Sequence, residues 1–248
     1  LSNVTQLKFG PSLTARGKPV ESFLLPGLAV SAQLGLFALA FALLVGIPAG
    51  IIAAMHHGSW RDRSATLVAI IGVSVPAIVL GPVLQWLFAL QLGWFPVAQW
   101  ASLSEGLIPY LSHIILPAVT LGAGLSAIIA RLTRASMLSV LGEDYIRTAH
   151  AKGLARRVVT VRHALRNALI PVVTYLGPLA AAVLTGSLVV EQIFAIPGMG
   201  RYFVTSISGR DYPMVMAVVV LYALIIVGVN LLVDILYTVI DPRIGHGN

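Results

Sequence analysis

The sequence contains no cysteine. That excludes a disulfide framework, a thiolate nucleophile and thiolate metal ligation together. Charge is nearly as scarce: 10% of the 248 residues are Asp, Glu, Lys or Arg, against about 25% in an ordinary soluble domain. Lysine occurs only at Lys8, Lys18 and Lys152, and none closes a glycine-rich loop ending in Gly-Lys-Ser/Thr, so the chain carries no phosphate cradle of that type. His56 and His57 are adjacent at an expected helix end, and His113, His150, His163 and His246 are scattered. No spacing among them suits one metal ion.

What fills the chain instead is apolar. Fifty-eight per cent of residues are hydrophobic and the mean hydropathy is +0.92. Residues 22–60, 64–104, 106–130, 167–190 and 212–233 hold no Asp, Glu, Lys or Arg, and each exceeds the roughly 20 residues a helix needs to cross a bilayer. Lipid offers the backbone no hydrogen-bond partners, so helices are required. The expected fold is all-α, a polytopic transmembrane helical bundle with five visible spans near Leu28–Met55, Ala65–Leu92, Ile114–Ala135, Ala168–Val190 and Met214–Ile240.

A net charge of +7 could suggest nucleic acid, but the basic residues lie between the spans, where they set orientation. Arg61 and Arg63 mark the first loop. Arg131, Arg134, Arg147, Lys152, Arg156, Arg157, Arg162 and Arg166 mark the third, whereas residues 93–113 contain no Lys or Arg. The first and third loops and the tail with Arg243 are therefore expected in the cytoplasm. Trp94, Phe95, Trp100 and Tyr110 would form an outer aromatic belt. This parity puts residues 1–27 outside, although Leu1–Leu24 lacks the pattern of a signal peptide. A preceding span is the expectation, making six in the native subunit.

Residues 142–171 read GEDYIRTAHAKGLARRVVTVRHALRNALIP. Glu143 and Asp144 suit a helix N-terminus, Lys152 its C-terminus, and Gly153 can take the left-handed conformation that stops it. This predicts a short helix over Asp144–Lys152. Leu154, Val158, Val161 and Leu165 then recur at helical spacing, predicting an amphipathic helix that leads into the next span. Such a pair could lie on anionic lipid or dock in a protein groove. Small Ala149 and Ala151 beside Gly153 favour the groove, because they would let a partner approach the backbone.

Within the spans, Gly46 and Gly50 form a small-xxx-small pair suited to close helix packing. Thr185, Gly186 and Ser187 could line a path, though they equally serve interhelical hydrogen bonding. Asp234 is the one acid inside a span. An intramembrane protease would need a base beside Ser187, and no His lies in a facing span. A secondary transporter would need more ionisable intramembrane residues than Asp234.

The stretch RTAHAKGL at Arg147–Leu154 with HALRNALIPV at His163–Val172 resembles the cytoplasmic loop of ABC importer permeases of the oligopeptide and dipeptide family. FGPS at Phe9–Ser12, EQIFAIPGMGRYF at Glu191–Phe203, GRDYP at Gly209–Pro213 and VDILYTVIDPR at Val233–Arg243 match the same family in order. PGLAVSAQLG at Pro26–Gly35 resembles the first subunit type. The resemblance implies a type I ABC importer permease fold in a bacterial inner membrane, with a permease domain over 28–248 and a coupling loop at 142–167. It implies that the chain is no enzyme and holds no cofactor, ATP being bound by one or two partner ATPases. The further partners implied are a second permease subunit, an external solute-binding protein, membrane lipid and a peptide substrate, with no nucleic acid. Arg147, Ala149, Lys152, Gly153 and Leu154 would meet the ATPase. Glu191, Pro197, Gly198, Gly200, Arg210 and Asp211 would meet the binding protein.

Overall fold

Long apolar runs without charge fold as helices, and the computed structural model follows that pattern. It describes residues 9–15, 17–155 and 158–240, with the backbone alone at 181–182, 184–186, 233–234 and 236–240. The side chains of Asp234, Thr185 and Gly186, and all of Arg156, Arg157 and Arg243, lie outside the described residues. The helices are α1 (Glu21–Met55), α2 (Trp60–Ser74), α3 (Ala77–Leu84), α4 (Leu107–Leu141), α5 (Asp144–Ala151), α6 (Leu165–Ala168), α7 (Ile170–Ile193), α8 (Met199–Ser208) and α9 (Tyr212–Ile240). Two π-helical stretches, Gln85–Gln91 and Val159–Ala164, extend α3 and precede α6.

Among the described residues three helices, Glu21–Met55, Leu107–Leu141 and the Tyr212–Leu232 part of α9, are long and apolar enough to cross a membrane. The pair α2 and α3 adds a fourth if taken as one bent span. The second expected span is thus broken rather than continuous. Pro76 is the cause: its ring excludes the helical conformation from the preceding residue, and Val75 is extended at φ −87°, ψ 112°. The fourth expected span appears as α7. α1 begins at Glu21 rather than Leu28 and runs through Pro26.

The chain divides into two units. The first comprises residues 1–39, 76–122 and 180–231, the second 40–75, 123–179 and 232–248.

In the first unit, Leu34, Ile114, Leu116, Val190, Phe194 and Ile196 form one buried core. Val20, Leu24, Met199, Met214, Ala217 and Val218 form another. The expected aromatic belt is revised here. Tyr110 is buried, edge-on to Trp100 at 5.8 Å, and its hydroxyl donates to Gln33 Oε1 at 2.9 Å, whereas Trp94 stays exposed. The loop after α3 is tied down by Gln85, whose Nε2 donates to the carbonyls of Val97 (2.7 Å) and Ile193 (3.2 Å). Residues 10–15 and 17–20 are held together by a bridge between Pro11 and Pro19.

In the second unit, α1 packs against α4 through Gly46 and Gly50. A Cβ on Gly46 would lie 2.6 Å from the Ser126 carbonyl oxygen, and one on Gly50 would lie 2.6 Å from Thr133 Cβ. Asp62, buried in the first turn of α2, receives Nε and Nη2 of Arg134 from α4 at 2.6 and 2.8 Å. The Gly58 amide at 3.0 Å and His57 Nδ1 at 3.1 Å complete its shell.

Candidate functional site

The short helix α5 starts where the sequence places it. Glu143 is its extended N-cap, and Asp144 lies in the first turn, where a carboxylate opposes the helix dipole. Its end is a full Schellman motif: Gly153 takes φ +76°, its amide meets the His150 carbonyl at 2.9 Å, and the Leu154 amide meets the Ala149 carbonyl at 3.4 Å. Lys152 is the C-cap, so the helix ends one residue earlier than expected.

The faces of α5 differ from expectation at one position. Ile146 and Ala149 are 1% and 7% exposed and pack with Ala54, Met137, Val159, Ala164 and Ala168. Ala149 is small because its own unit crowds it, so it does not offer a surface to a partner. Arg147, Thr148, Lys152, Gly153 and Leu154 are exposed. Nothing lies within 4 Å of a Cβ built on Gly153, so glycine is required there by φ and not by crowding. Tyr145 Oη, receiving Asn167 Nδ2 at 2.9 Å, ties α5 to α6.

The amphipathic stretch after the turn is also rephased. Val158 and Val161, expected inside, are exposed, while Val159, Ala164 and Ala168 are fully buried. One π turn explains this: the Leu165 amide bonds the Thr160 carbonyl five residues back, so the buried positions are spaced by five and then four.

The second segment joins α7 to α9. α7 ends in another Schellman motif, with Ala195 at φ +53° and the Ile196 amide on the Glu191 carbonyl at 2.9 Å. Pro197 and the N-cap Gly198 then lead into α8. A glycine N-cap has no side chain to offer the free amides of a first turn. Glu191, fully buried in the last turn of α7, supplies the acceptor instead. Its Oε2 receives the Arg201 amide at 3.2 Å, and its Oε1 receives Ser31 Oγ of α1 at 2.6 Å; Ser31 Oγ in turn receives the Met199 amide at 2.9 Å. Gly198 has φ −90°, so no left-handed turn demands it. The Glu191 carboxyl group occupies the place of its missing side chain. A Cβ on Gly200 would lie 2.5 Å from Leu188 Cα.

At the far end of α8, Arg210 takes φ +54° and the Asp211 amide reaches the Ser206 carbonyl at 2.9 Å. Asp211 is fully buried and caps α9, its Oδ1 receiving the Met214 amide at 3.4 Å. Its Oδ2 receives the Ser12 hydroxyl, the Thr14 amide at 3.2 Å and the Thr14 hydroxyl at 2.8 Å. Burial pushes this carboxyl up, but hydrogen bonds from Ser12, Thr14 and the Leu13 and Thr14 backbone outweigh it and bring the pKa down to about 2. Of the expected external contacts, Glu191, Gly198, Gly200 and Asp211 are thus buried, Pro197 is half-buried and Arg210 is exposed. The buried ones hold the segment. The open surface belongs to Arg201, Thr205, Ile207, Ser208, Arg210 and Tyr212.

Sequence reasoning missed Ser31, Gln85 and Asp62, because their partners lie 160, 108 and 72 positions away. Among the described residues no group of three or more His, Asp or Glu could hold a metal ion.

Comparison with known proteins agrees with this architecture. The chain is 46% identical over 244 residues to the dipeptide transport system permease protein DppB of Bacillus subtilis, covering 98% of this chain and 77% of that protein. It is 42% identical over 246 residues to the glutathione transport system permease protein GsiC of Escherichia coli, covering 99% and 78%. In fold it resembles a chain of the inward-facing MetNI methionine ABC transporter, with a TM-score of 0.72 at 16% identity over 89% of this chain and 97% of that one. Residues 46–246 match the family described as binding-protein-dependent transport system inner membrane component. The chain belongs to that family and is a multi-pass inner-membrane permease subunit of an ABC importer.

Proposed function

We propose that the chain forms one half of a translocation path for short peptides, turned between outward and inward openings by partner ATPases that α5 engages. The observation that carries this reading is α5 itself. A two-turn helix is fixed to its own unit by Ile146 and Ala149 while Arg147, Thr148, Lys152 and Gly153 remain uncovered. A helix this short is marginal on its own, and its inward anchoring makes it a rigid knob suited to a groove. The chain binds no cofactor of its own; a second permease subunit completes the path. The surface of α8 and Arg210 receives the solute-binding protein. The cargo follows from relatives named for dipeptide and glutathione transport.

The test acts on the outer face. Arg147→Glu and Thr148→Trp change exposed positions and leave the buried anchor intact. Each variant is expected to insert normally and to lose its ATPase subunits on co-purification, by about tenfold or more for a charge or a bulky ring misplaced in a groove. Undiminished co-purification with undiminished uptake in both variants would refute the coupling role. For cargo, reconstituted importer with its binding protein should take up labelled di- or tripeptides; failure with all of them, alongside uptake of another solute, would overturn the peptide assignment.

A further inference from the structure

We propose that Glu191 is a positioning residue that fastens the binding-protein docking helix α8 to α1, so that docking outside is passed to the spans rather than absorbed by a loose loop. The proposal rests on the docking reading given above.

Glu191 occupies a position that its own helix disfavours. It sits in the last turn of α7, where the carbonyl ends present partial negative charge and a carboxylate is unwelcome. It is fully buried, and no Lys, Arg or His among the described residues pairs with it. Its favourable surroundings come from elsewhere: the N-terminus of α8 points amides at it, and Ser31 of α1 gives it a hydroxyl. One carboxylate therefore joins three helices. Ser31 is the bridge, donating to Glu191 and accepting from Met199, so the first turn of α8 and the wall of α1 share one hydrogen-bonded chain.

The glycines show that this arrangement is built around the carboxylate. Any side chain at Gly198 would displace the Glu191 carboxyl group, and one at Gly200 would strike Leu188 and Glu191. A flexible loop would need neither. The exposed residues that would touch a binding protein, Arg201, Thr205 and Arg210, lie within or just beyond the helix so fixed, and no side chain among them bonds Glu191 in the hydrogen bonds described. Removing the carboxylate leaves that surface chemically intact and cuts only its attachment.

This separates two measurable quantities. In proteoliposomes holding the complete importer, ATP-driven uptake is measured against increasing concentrations of liganded binding protein. Glu191→Gln and Ser31→Ala are expected to lower the maximal rate by about tenfold, the scale of one charge-assisted hydrogen bond, with the half-saturating binding-protein concentration within about twofold of wild type. The double variant should be no worse than the more severe single one, because both cut the same chain of bonds. Arg210→Glu should do the opposite, raising the half-saturating concentration.

A wild-type maximal rate in Ser31→Ala and Glu191→Gln would overturn the positioning role. So would a rise in half-saturation with no fall in rate, which would make Glu191 part of the contact itself. If Glu191→Gln fails to assemble, Ser31→Ala, which removes a single hydroxyl, decides the matter. If Arg201→Glu and Arg210→Glu both leave half-saturation unchanged, the docking reading fails, independently of what Glu191 does.

Discussion

Valine at Gly50 would push its side chain into the Ala130 carbonyl and Thr133, where a Cβ alone already comes to 2.5 and 2.6 Å. Gly50→Val is expected to destabilise the purified permease by about 1–3 kcal/mol, the cost of overpacking, read as a fall in its melting midpoint in detergent. This contact was legible in the sequence because Gly46 and Gly50 stand four apart on one helix face. The Asp62–Arg134 pair was not, because both residues read as ordinary loop charges until the fold closed 72 positions between them. Removing one partner leaves a buried charge uncompensated, so Arg134→Met is expected to cost roughly 3–5 kcal/mol and Asp62→Asn/Arg134→Met less than Arg134→Met alone. A double variant whose loss equals the sum of the Asp62→Asn and Arg134→Met losses would show that the pair is not coupled. Asp211 gives a titration to follow. Its native pKa of about 2 lies below the ordinary carboxylate value near 3.9, so its stabilisation is complete above that value and is lost as pH falls toward 2. The melting midpoint of wild type should therefore fall more steeply than that of Asp211→Asn between pH 5 and 3, and parallel curves would remove Asp211 from the acid response.

Helix ends divide sharply into those the sequence announces and those it hides. Gly153, Ala195 and Arg210 all occupy the left-handed residue of a Schellman motif, at φ +76°, +53° and +54°. Only the first was foreseeable, since glycine reaches that conformation freely while alanine and arginine pay about 1 kcal/mol or more and are held there by the surrounding bonds. The π turn at Val159–Ala164 was equally silent. A regular 3.6-residue period assigned Val158 and Val161 to the interior, and a single wider turn exchanged them for Val159 and Ala164. Gly153→Val adds a β-branched side chain at positive φ with no neighbour to strike, so its effect isolates backbone conformation. It is expected to fray α5 and weaken ATPase co-purification, whereas Gly153→Asn, which tolerates that region, should stay close to wild type. Equal behaviour of the two variants would mean that the left-handed turn is dispensable.

At the scale of the molecule, the order of the long apolar helices was legible because lipid dictates long uncharged runs, while the break at Pro76 and the packing within each unit depended on contacts that no local pattern encodes. Orientation is open to a direct test because the chain has no cysteine of its own to give background. A cysteine at Ser208, which is exposed, should react with an impermeant thiol reagent from outside sealed cells, and one at exposed Arg162 should not. The reverse pattern would invert the topology; Ser206, though in the same segment, is buried and would report nothing. The isolated chain is also expected to hydrolyse no ATP above background, with turnover appearing only when its cytoplasmic partners are added. The two buried carboxylates that hold the ends of α8 carry one more consequence. They are satisfied by amides and hydroxyls rather than by cations, and such bonds sit inside protein where dissolved ions do not reach. A surface ion pair weakens as ionic strength rises and the Debye length shrinks from about 10 Å at 0.1 M to about 3 Å at 1 M. The medium outside a bacterial inner membrane changes its salinity with the surroundings. In concentrated salt the arrival of a charge-guided binding protein would slow, yet the platform waiting for it would keep its shape.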